Sequence, residues 1–128
     1  MRIRLAQITV HVRDCEEACR WYTEKLGWVK RQDETYADGT RWLTVSSPDQ
    51  PEVTLVLDQR PQFGDDSGVG KQPVLIVTTD DCVGAYETLV ARGVVFKDPP
   101  VKEVWGTTAR FYDLHGNEIH MFQPTTHR

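Results

Sequence analysis

Long apolar runs are missing from this sequence. Its most continuous one, Pro73-Val74-Leu75-Ile76-Val77, falls far short of the ~20 residues that a membrane-spanning helix needs. The first residues, Met1-Arg2-Ile3-Arg4, turn polar again at Gln7 without the hydrophobic stretch of a secretion signal. Cysteine is scarce as well. Cys15, Cys19 and Cys82 form neither an even framework nor a Cys-x-x-Cys pair, which excludes a disulfide scaffold and points to reduced thiols in the cytoplasm. Nor is there an excess of positive charge. Fifteen Lys and Arg against nineteen Asp and Glu leave a net charge of −4, with no basic stripe to attract nucleic acid or an anionic membrane. No phosphate loop, dinucleotide fingerprint or Ser-His-Asp pattern is present.

What remains is an ordinary globular composition, 39% hydrophobic and 27% charged over 128 residues. That length suits a single domain spanning residues 1–128, which can bury roughly two-thirds of its unfolded surface.

The chain repeats itself. Val10-His11-Val12-Arg13-Asp14-Cys15-Glu16-Glu17-Ala18 is followed by Leu26-Gly27-Trp28, and Val77-Thr78-Thr79-Asp80-Asp81-Cys82-Val83-Gly84-Ala85 by Arg92-Gly93-Val94. Asp-Cys-x-x-Ala thus recurs after about 67 residues, roughly half the chain. In each copy an apolar or alternating run (Ile8, Val10, Val12; Leu75, Val77) predicts a strand with one buried face. Asp14 and Asp81 suit helix N-caps, with Glu17 completing a capping-box spacing. Ala18, Trp21, Tyr22 and Leu26 recur at helical spacing, as do Ala85, Tyr86 and Leu89. Gly27 and Gly93 stand where a left-handed residue would end each helix.

Strand-like segments follow each helix: 29–35, 41–46 and 53–57, then 94–97, 107–112 and 118–122. Asp38-Gly39, Pro48-Asp49, Pro99-Pro100 and His115-Gly116-Asn117 mark turns between them. Asp58–Gln72, with Pro61 and three glycines, reads as a connection, so residues 1–58 form one half, 59–72 a linker and 73–128 the other. Each half is β-α-β-β-β, and neither buries its sheet alone.

Val12-Arg13-Asp14 with Trp21-Tyr22-Thr23-Glu24-Lys25-Leu26-Gly27, then Ala91-Arg92-Gly93-Val94, Trp105-Gly106 and Asp113-Leu114-His115-Gly116-Asn117, resemble the vicinal oxygen chelate superfamily. Glyoxalase I, extradiol dioxygenases and bleomycin and fosfomycin resistance proteins belong to it. The resemblance covers nearly the whole chain. It implies an α+β fold in which two tandem βαβββ modules form a curved mixed sheet around a small-molecule cavity, commonly as a homodimer. It leaves the chemistry open, because this fold hosts lyases, isomerases, dioxygenases and plain binders.

Metal-dependent members of that family take ligands from the first and last strands of each half, leaving open positions for a substrate's oxygens. The matching positions here are Gln7, Val74, a place near Thr54, and His120. Gln7 and His120 can ligate, and Val74 cannot. Strand parity adds a second possibility. With Ile8, Val10 and Val12 turned to the helix, Gln7, Thr9 and His11 face the other way, as do Glu118, His120 and Phe122 opposite Ile119 and Met121. Gln7, Glu118 and His120, or His11 with Glu118 and His120, could hold one divalent metal. Alternatively these groups line a cavity wall and bond one another, a ligand or water, with no cofactor at all.

Of the four tryptophans, Trp21 and Trp28 suit the core. Trp42 and Trp105 lie on or beside strands bordering the expected cavity, as ligand-stacking groups or as further core. Arg110 and Tyr112 alternate with Ala109 and Phe111, so both can face a ligand; an Arg there suits an anionic group, or is a solvated strand-edge residue. His115 in a turn and His127 in the tail are expected in solvent. Cys15 and Cys82 occupy the first helical positions, an equivalence that duplication explains.

The expected function is binding of a compact apolar or aromatic ligand without a complete family metal site, by Gln7, Thr9, His11, Trp42, Thr54, Trp105, Arg110, Tyr112, Glu118 and His120. The alternative is a metal-dependent lyase, isomerase or dioxygenase using Gln7 and His120.

Overall fold

A computed structural model describes residues 1–60, 69–70 and 75–125. The chain divides into two compact units, Met1–Gln72 and Pro73–Arg128. The first contains β1 (Gln7–His11), α1 (Cys15–Lys25), β2 (Val29–Thr35), β3 (Arg41–Ser46) and β4 (Thr54–Asp58). Its sheet runs β1-β4-β3-β2, with β1 parallel to β4 and the other pairs antiparallel. The second contains β5 (Leu75–Thr78), α2 (Cys82–Ala91), β6 (Phe96–Glu103), β7 (Gly106–Tyr112) and β8 (Glu118–Pro124), in the order β5-β8-β7-β6 with the same pattern of directions. The fold is α+β, two βαβββ modules in tandem.

Local chemistry starts and stops the helices where the repeat places them. Asp14 is extended and accepts the backbone N–H groups of Glu16 and Glu17 at 2.9 and 3.1 Å. Asp81 does the same for Gly84 at 2.9 Å. Each satisfies donors that the first turn leaves open. At the other ends Gly27 and Gly93 take φ of 70° and 89°, a conformation costly for any residue with a side chain.

Alternation along the strands then fixes which face meets the helix. In the first unit Val10, Leu43, Val45, Leu55 and Leu57 are buried with Ala18, Trp21 and Tyr22 of α1. In the second, Ala109, Phe111, Ile119 and Met121 are buried with Cys82 and Leu89 of α2. Burying each large aliphatic chain contributes ~1.5–3 kcal/mol. Trp28, half-buried, lies 5.6 Å from Tyr22 between ring centres.

One turn expectation is overturned. Pro99-Pro100 does not end a strand; both residues lie inside β6, which runs on to Glu103. The β6–β7 register shifts between Asp98 and Val101. Proline lacks an N–H, and only an edge strand or a bulge tolerates that loss; β6 supplies both. Most of the expected linker, Val74 and His127 lie outside the described residues.

Candidate ligand-binding faces

Each sheet has a second face, turned away from its helix, and the residues singled out in the sequence collect there. In the first unit Gln7 pairs in register with Thr54, Thr9 with Val56 and His11 with Asp58. Thr44 pairs with Val56, which puts Trp42, Thr44 and Ser46 on the same side. Gln7 donates from Nε2 to Thr54 Oγ1 at 3.2 Å. Trp42 is half-buried and donates from Nε1 to Gln32 Oε1 at 3.1 Å. Asp58 is buried at 7% exposure. Burial raises its carboxyl pKa, but Arg60, gripping it through Nε at 3.0 Å and Nη2 at 2.8 Å, outweighs that and holds the pKa below the ordinary value.

In the second unit the register sets Thr108 against Phe122, Arg110 against His120 and Tyr112 against Glu118. The β7–β8 hairpin enforces it. Asp113, buried, accepts the backbone N–H groups of His115 and Asn117 at 2.9 and 2.8 Å and the Asn117 side-chain amide at 2.9 Å. Gly116 takes φ of 88°, and His115 is half-buried rather than in solvent. The Asp-x-x-Gly-Asn stretch is therefore a register device.

Five of the polar groups on this face, Lys97, Asp98, Arg110, Glu118 and His120, are bonded within one another's reach. His120 Nε2 lies 2.6 Å from Glu118 Oε2, and Lys97 Nζ lies 3.1 Å from Glu118 Oε1. The His120 bond first and Lys97 second hold the Glu118 carboxyl below its ordinary pKa. Arg110 donates from Nε to Asp98 Oδ2, and its Nη1 lies 3.9 Å from Glu118. The Asp98 bond raises the guanidinium pKa further. Arg110 is thus a partnered cation on this face.

Apolar groups lie beside this network. Ile76, the register partner of His120, is 70% exposed. Trp105 is 55% exposed, with its ring centre 5.6 Å from that of Phe122. An open cleft of about 290 Å³ is lined by Asp98, Val101, Glu103, Trp105, Thr108 and Arg110.

The donor set does not fit the family's metal arrangement. His120 faces Ile76 in register, and Thr9, the repeat counterpart of Ile76, faces Val56. Val56 therefore holds in the first unit the place that His120 holds in the second, and its side chain cannot ligate. Gln7 and Thr54 bond each other, and Glu118 bonds His120. Among the described residues no three His, Cys, Asp or Glu groups come together as a metal site.

Asp98 and Glu103 escaped notice in the sequence because the Pro-Pro bulge disguises β6 as a turn. Gln59 and Gln123 were also missed. Each accepts the first backbone N–H of a helix, from Cys15 and Cys82 respectively, at 2.8 Å.

Comparison with known proteins supplies the wider context. The family model described as Glyoxalase/Bleomycin resistance protein/Dioxygenase superfamily matches residues 4–121. An uncharacterized protein of Shewanella frigidimarina is 33% identical over 122 residues, 91% of this chain and 90% of its own. The crystal structure of UcmS2 superposes with a TM-score of 0.85 at 36% identity, covering 96% of this chain and 99% of its own. TnmS3, an antibiotic binding protein from Streptomyces sp. CB03234, gives 0.80 at 32% identity, covering 97% and 98%.

Proposed function

The chain belongs to the glyoxalase/bleomycin resistance protein/dioxygenase superfamily, and from that premise we propose that it binds a compact aromatic small molecule without a metal. The observation that carries this reading is the open face of the second unit. There Ile76, Val101 and Trp105 are left in solvent beside charged groups that already satisfy one another. Exposed large apolar side chains grouped around a cleft mark a binding site far more often than a bare surface. A flat aromatic ligand would cover Val101 and Trp105, which line the cleft, and leave the polar network intact. The likeness to an antibiotic binding protein over nearly the whole chain supports the same reading, with sequestration rather than turnover as the outcome.

The corresponding face of the first unit, where Gln7 and Thr9 are exposed and His11, Trp42 and Thr54 half-buried beside buried Thr44, Ser46 and Val56, offers hydrogen-bonding groups and one indole for the same kind of ligand. The pairing of Gln7 with Thr54 gives them a defined arrangement. We further propose a cytoplasmic homodimer. Among the described residues each sheet ends in edge strands, β1 and β2 in one unit, β5 and β6 in the other, and such edges favour association. The three cysteines are buried thiols, as a reducing compartment allows.

A thermal-shift screen of aromatic antibiotics tests the reading. Binders should raise the melting temperature of the parent and leave Trp105→Ala unshifted. Stabilisation that is equal in both would place the site elsewhere.

A further inference from the structure

The hairpin between β6 and β7 breaks two rules at once. Its two-residue loop is Val104-Trp105, closed by the pairing of Glu103 with Gly106. Loops of that length favour Asn, Asp and Gly, and neither Val104 nor Trp105 adopts the positive φ that those residues provide. Both are also exposed, Val104 at 94% and Trp105 at 55%, where the hydrophobic effect disfavours them. Departures from local rules without local compensation are expected where a chain serves a ligand.

Charge around the cleft beneath this hairpin is unbalanced. Asp98 neutralises Arg110. Lys97 and His120 both engage Glu118. Glu103 has no ion pair and no side-chain hydrogen bond among the described residues. It shares strand parity with Val101, whose register partner is Thr108, so it stands on the open face with the other cleft residues. The cleft therefore presents one surplus carboxylate next to one exposed indole.

We propose that this cleft selects a planar aromatic cation, its ring stacked on Trp105 and its positive charge facing Glu103. An indole face attracts cations through its quadrupole, and an unpaired carboxylate adds a charge-assisted contact. An anionic ligand would meet Glu103 with like charge, and Arg110, bonded to Asp98, offers it little. This rests on the reading of the same face as a ligand site and adds the chemical class of the ligand.

Three acridine probes of similar shape test it by titration at neutral pH and low salt: cationic proflavine, neutral acridine and anionic acridine carboxylate. Proflavine should bind roughly tenfold more tightly than acridine, and the carboxylate most weakly. Glu103→Gln should reduce the preference for proflavine to within about twofold while leaving acridine unchanged. Trp105→Ala should weaken all three probes, Trp105→Phe should restore part of the loss, and Glu87→Gln on the exposed side of α2 should change nothing. Added salt should erode the preference for proflavine alone. A preference for cations that survives Glu103→Gln, or tightest binding of the carboxylate, would overturn the proposed selectivity and leave the ligand site standing. Failure of all three probes to bind would overturn both.

Discussion

Gln123 reaches from β8 to the start of α2, where its Oε1 accepts the backbone N–H of Cys82 at 2.8 Å. Gln59, just beyond β4, does the same for Cys15 at the start of α1. In each unit the side chain joins the end of the last strand to the first turn of the helix and satisfies a donor that the helix cannot. Gln123→Leu keeps the volume and removes the acceptor. It should cost ~1 kcal/mol and lower the melting temperature by roughly 4 °C, with ligand affinity preserved. A melting temperature equal to the parent's would show that water replaces the contact at no cost.

Acid should weaken the first unit through Asp33. Arg41 first, and Lys30 second, hold the Asp33 carboxyl well below the usual carboxylate range. Arg41 donates to Asp33 from Nε and Nη2 at 2.9 Å, and its Nη1 lies 2.9 Å from Glu16 of α1. Because the folded pKa is depressed, the stabilisation is fully present above the unfolded value of about 4 and is lost as pH falls through the folded one. Denaturant titrations between neutral and acidic pH should therefore show stability falling at the acidic end, and falling less in Asp33→Asn. At neutral pH that variant should lose about 1 kcal/mol, since both partners are partly exposed. Parallel pH profiles for parent and variant would contradict the linkage.

Gly106 is required by its surroundings. Its φ is 152°, and a Cβ there would lie 2.4 Å from the Gln123 carbonyl oxygen and 2.6 Å from Phe122 Cε1. Neither the backbone of β8 nor the ring packed against Trp105 can yield cheaply. Gly106→Ala should cost ~1–3 kcal/mol and weaken aromatic ligands by displacing the hairpin that carries Trp105. Chemical denaturation and probe titration on the same variant check both effects. Unchanged affinity despite lost stability would separate the hairpin from the site.

The modules could be read from the sequence because each boundary has local chemistry of its own. Asp14 and Asp81 are side-chain caps, Gly27 and Gly93 supply left-handed ends, and Val10, Phe111 and Ile119 alternate with polar neighbours. The grouping of Glu118 and His120 followed from strand parity alone. Contacts that depend on strand pairing were hidden. Asp98 meets Arg110 only because a bulge at Pro99-Pro100 realigns β6 with β7, and those two prolines in isolation signal a turn. Gln59 and Gln123 act on backbone groups about 40 residues earlier, and they do not obey the spacing of the repeat. The surplus charge of Glu103 became apparent only once the partners of its neighbours were known.

Metal content should be low. Gln7 bonds Thr54, Glu118 bonds His120, and Val56 occupies the place corresponding to His120, so few donors stand at the positions where the family holds its metal. Protein purified without a chelator or a polyhistidine tag should carry well under one equivalent of any transition metal, and added zinc or manganese should leave its melting temperature unchanged. A near-stoichiometric metal would instead favour the lyase, isomerase or dioxygenase chemistry found elsewhere in the superfamily.

Binding at the exposed indole is tested most directly by NMR of the tryptophan side-chain N–H groups during titration with proflavine. Trp21 is buried at 8% exposure, and Trp105 is 55% exposed. The Trp105 resonance should shift progressively and saturate with the binding isotherm while that of Trp21 stays in place, and Trp105→Phe should identify the shifting signal by removing it. Saturable binding that leaves the Trp105 resonance unmoved would contradict a ligand site on this face.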